Sequence, residues 1–276
     1  VRWTRSRAWE ILAVLETTDW SRDVRGLSAT GMFGVLLATF VIGLALGVLF
    51  RLTLRGLGIA LLPPHVDVGD ELARTLSIGT AIVGLRYWTR QTWRSLVPLS
   101  TWHVRFYLPL LVSAMGLALL TAALRTGVLA VVSESHPVRG GLRTSASVVL
   151  FSTLILAPFT EELLMRGAVL GGLLRRYSSR KAILISALAF AVLHLSPYQF
   201  LQSLVLGLIS GWVRVKTGSL WPGIVAHAAC NAFLILGAEV FDAGVSALLG
   251  TVSLLLGLLW IRWQRPPGES RAGIGN

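Results

Sequence analysis

The chain has 276 residues, of which 54% are apolar and 14% charged, with a mean hydropathy of +0.70. Soluble domains carry roughly 25% charged residues, so this composition excludes a soluble globular protein and divides the length into membrane spans of about 20 residues each. The net charge of +12 does not indicate nucleic acid. The arginines mark the ends of apolar runs instead of forming a basic stripe interleaved with aromatics, and such ends meet headgroups and cytoplasm.

Residues 1–26 read as an interfacial helix, with Trp3, Trp9, Ile11, Leu12 and Leu15 set among charges. The apolar run 27–50 is longer than a signal-peptide core and reads as a retained first span. Residues 72–88 form a weaker candidate, short and carrying Arg74. Further spans are expected at 107–124, 146–174, 182–196, 198–213, 219–238 and 244–263. Tryptophans near their ends, among them Trp88, Trp93, Trp221, Trp260 and Trp263, suit interfacial anchoring. If 72–88 spans, most of the 25 basic residues fall on one side, and Arg74 falls on the other. Dropping it breaks the alternation.

The expectation is therefore an all-α, polytopic membrane helical bundle of about eight transmembrane helices enclosing an intramembrane polar cavity. Both termini are expected in the cytoplasm and the protein in the plasma membrane. The chain divides into 1–145, without a recognised motif, a core at 146–238, and 239–276 with the last span and a polar tail. The single cysteine, Cys230, rules out an intramolecular disulfide and a Cys-rich metal site. The sequence carries no sign of oligomeric state.

Of 13 carboxylates, Glu161 and Glu162 alone fall inside an expected span, and of five histidines only His194 and His227 do. A lone intramembrane histidine often makes just an interhelical hydrogen bond. A carboxylate pair with two histidines is costly in lipid and points to function. At about 1.5 Å per residue, Glu161 lies roughly 21 Å, His194 roughly 18 Å, and His227 and Asn231 roughly 12 and 18 Å from the inner ends of their helices. These depths overlap near mid-bilayer.

Glu162 and Arg166 are four residues apart and can pair on one helix face, while Glu161 points about 100° away, towards another helix. Held beside Arg166, Glu162 leaves Glu161 as the candidate for chemistry. His227 and Asn231 share a face and suit an oxyanion site, or a polar contact between helices. Cys230 shares that face too, so a Cys–His nucleophile stands against a small residue at a packed interface.

Three blocks, EELLMR (161–166), FAVLH (190–194) and HAACN (227–231), read as EExxxR, FxxxH and HxxxN in that order. The set resembles the CPBP intramembrane proteases, which include CAAX prenyl proteases and bacteriocin-processing or immunity proteins. Met165 stands where an aromatic residue often precedes the arginine. The resemblance covers about 146–238 and implies a multi-helix enzyme hydrolysing a peptide bond of a membrane-embedded or lipid-anchored substrate. It gives Glu161 as general base, His194 as its partner in activating water, and His227 with Asn231 as oxyanion donors.

A metal-free site uses all of these residues, and no cofactor is expected. The alternative is zinc held by Glu161, His194 and His227 with an open position. Two rival functions remain at this point. One is a catalytically silent scaffold or bacteriocin-immunity protein of the same fold. The other is a transporter or proton relay, which would predict an internal symmetry the sequence does not display.

Overall fold

The computed structural model describes residues 28–56, 68–99, 106–132, 150–194, 197–237 and 241–263. The expected interfacial helix at 1–26 and both chain ends lie outside them. The described residues are helical, without strands. In chain order they form α1 (Ala29–Gly56), α2 (Val68–Thr89), the short α3 (Trp93–Leu96) and α4 (Tyr107–Val132). A continuous helical rod over 150–173, here α5, follows. Then come α6 (Ser179–Val192), α7 (Pro197–Thr217), α8 (Trp221–Gly237) and α9 (Ala243–Trp263).

Each expected span overlaps one of these helices, including the weak candidate, which belongs to α2, while residues 27, 146–149, 195–196 and 238 of those spans lie outside the described residues. By length and apolarity two of them are sufficient to cross a bilayer, Tyr107–Gly127 of α4 and the whole of α9, while Trp221–Leu236 of α8 is apolar but shorter. One boundary differs from expectation. The segment 182–196 was read as helical through His194, but α6 ends at Val192.

α4 and α9 show how the helices associate. α9 buries Ser246, Gly250, Gly257 and Ile261 and turns Leu248, Leu255, Leu256 and Leu259 outward, 54–65% exposed. That arrangement inverts a soluble helix. It is the expected one where lipid removes the hydrophobic drive between helices and small residues permit close backbone approach. A Cβ placed on Gly250 would stand 2.8 Å from the Leu120 nitrogen and 2.9 Å from the Gly116 carbonyl oxygen.

α5 is the inner element, touching α2, α3, α6, α7 and α8. Its residues Leu164, Met165, Ala168, Val169, Leu170 and Leu173 are all buried in the main apolar cluster. The connection from α2 to α5 is fixed by polar contacts. Arg175 Nη1 donates to the Thr89 carbonyl at 2.8 Å, capping the last turn of α2 with a cation.

Close packing makes a direct prediction. Gly250→Val should drive a side chain into the α4 backbone and destabilise the protein by about 1–3 kcal/mol, read as a lower thermal aggregation midpoint in detergent. Gly79→Ala is the control. Its Cβ meets nothing within 4 Å, and it should hold or raise the midpoint, by up to about 1 kcal/mol.

Candidate active site

The glutamates sit between two irregular stretches of α5. Ser152–Leu156 and Leu163–Val169 are π-helical, and Ala157–Glu162 between them is α-helical. Wider turns break the regular i→i−4 ladder and leave carbonyls for other partners. Three side chains from neighbouring elements take them. Asn231 Nδ2 donates to the Thr153 carbonyl at 2.9 Å, Ser186 Oγ to Met165 at 3.1 Å, and Gln91 Nε2 to Ala168 at 3.1 Å. The π turns are thus pinned from α8, α6 and the turn after α2, which fixes the direction in which Glu161 and Glu162 leave the rod.

Glu162 and Arg166 form the deep end. Their side chains are each 1% exposed, with Arg166 Nε 3.2 Å from Glu162 Oε2. That approach is not aligned as a hydrogen bond, so charge attraction holds the pair. The guanidinium also lies over the Phe190 ring, 4.6 Å from its centroid, where the ring quadrupole attracts a cation. Two glycines make room for the pair. A Cβ on Gly223 would come within 3.0 Å of Glu162 Oε2, and one on Gly207 within 3.3 Å of Arg166 Nη2.

The other carboxylate oxygen of Glu162 binds a histidine. Glu162 Oε1 is 3.2 Å from His227 Nδ1. An ionised carboxylate only accepts, so Nδ1 carries the proton and donates it. Nε2 of the same ring is thereby directed outward, 3.9 Å from Glu161 Oε2. A carboxylate that fixes a histidine tautomer and aims its second nitrogen at the reacting group is a recurring catalytic arrangement. At 3.9 Å the two groups are spaced for a bridging water.

Glu161 forms the shallow end, and its other oxygen is engaged by a residue that sequence reading assigned to no site. Arg74 Nη1 donates to Glu161 Oε1 at 2.7 Å, with the two side chains 38% and 17% exposed. Arg74 belongs to α2, outside the motif blocks. The signal for it was available, since an arginine inside a weak span raises the same question as glutamates inside a strong one.

The remaining expected residues are near but not merged with this chain of charges. His194 lies just beyond the end of α6 and donates Nδ1–H to the Phe190 carbonyl at 2.8 Å, one of the orphan carbonyls of a helix end. Its ring meets Phe190 edge-on at 4.7 Å, and Phe190 in turn meets His227 at 5.8 Å. The Phe190 ring therefore connects the two imidazoles, and Glu161 pairs with His227 rather than with His194. Asn231 spends one amide N–H on Thr153; a primary amide has a second.

Cys230 is buried and accepts from Gln202 Nε2 at 3.5 Å, which places it in a packed interface between α7 and α8. Among the described residues no group of three His, Cys, Asp or Glu side chains is arranged to hold a metal ion. Glu161, His194 and His227, the alternative zinc set, do not form such a group.

No curated protein matches the chain. A family model described as type II CAAX prenyl endopeptidase Rce1-like matches residues 143–233. The match contains α5, α6 and α7, and α8 as far as Phe233, with all three motif blocks inside it. Residues 143–233 are thus similar to the Rce1-like endopeptidase family, and Glu161 within them is paired with an arginine outside the match.

Proposed function

We propose that this protein is an intramembrane endopeptidase that hydrolyses a peptide bond of a membrane-associated or lipid-modified peptide, using water activated by Glu161. The observation that carries the reading is the Glu162–His227–Glu161 sequence of contacts, 3.2 Å and then 3.9 Å, inside an apolar helix cluster. Eight helices crossing the cell membrane, with both termini in the cytoplasm, complete this reading of the architecture.

In the proposed reaction, water between Glu161 and the scissile carbonyl loses a proton to Glu161 as its oxygen bonds the carbonyl carbon. The carbonyl π electrons move to oxygen, and the tetrahedral oxyanion accepts from the second N–H of Asn231. Glu161 can pass its proton to His227 Nε2, making an imidazolium that Glu162 stabilises from the Nδ1 side. That imidazolium is a donor, so His227 joins Asn231 at the oxyanion only after protonation. Collapse of the intermediate breaks the C–N bond, and the proton leaves with the amine.

His194, the water-activating partner that the resemblance implies, would reach the attacking water only if its ring moved past Phe190. Its Nδ1–H is committed to a carbonyl, which leaves Nε2 as the basic nitrogen. The substrate enters from the bilayer, so an attached lipid needs no transfer to water. Cys230 has no part in this scheme.

Glu161→Gln should lower kcat on a lipid-modified reporter peptide by roughly 100- to 10,000-fold while leaving the thermal midpoint in detergent unchanged. Full activity in this variant would sink Glu161 as the base, and no cleavage by the wild type would favour a silent scaffold. Glu162 and Arg166 differ in kind. Arg166→Met leaves a buried carboxylate with only His227 and should destabilise the protein by about 3–5 kcal/mol. The double variant Glu162→Gln with Arg166→Met removes both charges and should recover part of that loss, as measured by thermal unfolding.

A further inference from the structure

Glu161 is asked to act as a base, yet one of its oxygens is held 2.7 Å from an arginine. A carboxylate oxygen that accepts a short hydrogen bond from an arginine is not open to an incoming water. The four charges also form a gradient. Arg166 and Glu162 are each 1% exposed, Glu161 17% and Arg74 38%. A group arriving at this site therefore meets Arg74 before it meets the deep pair. Arg74 comes from α2, whereas the motif residues come from α5, α6 and α8.

From this geometry we propose that Arg74 is the substrate-recognition residue of the site, binding the free C-terminal carboxylate of the peptide and, in doing so, releasing Glu161. The inference rests on the protease reading and names the part of the substrate the site selects. A CAAX-type substrate ends three residues beyond its lipidated cysteine. Three extended residues span roughly 10 Å. Glu161 must act within about 3 Å of the attacking water, so the substrate carboxylate lies several ångströms further out than Glu161. The Nη1–H that donates to Glu161 is withdrawn as the guanidinium turns towards that substrate carboxylate. Turning outward to the substrate carboxylate, Arg74 exchanges one carboxylate for another, so the charge balance of the site is kept.

The exchange gives the site a resting state. Without a substrate carboxylate, Arg74 closes on Glu161 and blocks the base. With one, the base is freed only when the correct chain end is in place. A planar guanidinium can bind either carboxylate in two-point fashion, which makes the swap nearly neutral. An internal peptide segment, lacking a terminal carboxylate, does not supply the partner that draws Arg74 away.

The test uses one prenylated peptide in two forms, a free acid and a C-terminal carboxamide, with the purified full-length protein. The wild type should process the acid with a roughly 10- to 100-fold higher kcat/KM, the value of a charge-assisted pair. In Arg74→Gln this preference should vanish, and in Arg74→Lys it should survive in part. Equal processing of both forms by the wild type overturns the proposal, as does an Arg74→Gln variant that loses activity while keeping the preference. Processing of neither form overturns the protease reading itself.

Binding supplies an independent arm that needs no turnover. In Glu161→Gln the carboxylate that accepts from Arg74 Nη1 is replaced by a neutral amide, so the acid form should bind more tightly than to wild type, with the carboxamide unchanged. Equal affinity of the acid form for the two proteins overturns the exchange, whatever the fold of the Arg74 variants.

Discussion

Two adjacent carboxylates stand inside an apolar helix cluster, and each is there because a cation stands with it. A buried charge without a partner costs several kcal/mol. Glu162 meets that cost with Arg166 from its own helix and His227 from α8, and Glu161 with Arg74 from α2. Much of the local architecture follows from bringing these partners together. The glycines at 207 and 223 clear space beside the deep pair. The π turns set the exit direction of the glutamates, and side chains from three other elements satisfy the carbonyls those turns expose.

The two ends of the charge chain differ in what they can do. The Arg166–Glu162 pair is enclosed and stacked on Phe190, so it acts as a fixed brace whose free carboxylate oxygen orients His227. The Arg74–Glu161 pair is partly open. Only an open pair can exchange partners with an incoming group, and only a fixed one can hold a tautomer through a reaction. The proposed chemistry uses both properties, with His227 as the group that joins them.

Hydropathy made the helices legible. Apolar runs and basic residues at their ends marked the longer helices of the described residues, and even the weak run at 72–88 lies in α2, whereas the four-residue α3 was not marked. The Glu162–Arg166 brace was legible too, because i,i+4 spacing is a local property. The tertiary partners were not. Spacing could not tell that His227, and not His194, faces Glu161, since their relative rotation depends on helix packing. Nor could it foresee the π turns, whose exposed carbonyls are met by Asn231, Ser186 and Gln91 from other elements. His194 was expected inside a helix, but α6 ends at Val192 and the imidazole caps the helix end. Arg74 was counted as a charge on the outer side, whereas its guanidinium turns to Glu161.

The central claim is that water, and not a side chain, attacks the scissile carbonyl, with Glu161 serving only as base. The most direct measurement is a single turnover of a prenylated peptide in oxygen-18 water, followed by mass spectrometry of the new carboxylate and of the protein. The account predicts one solvent oxygen in the first-turnover product and none in Glu161. Heavy oxygen in the Glu161 carboxylate, with an unlabelled first product, would show that Glu161 attacks the substrate directly and would contradict it.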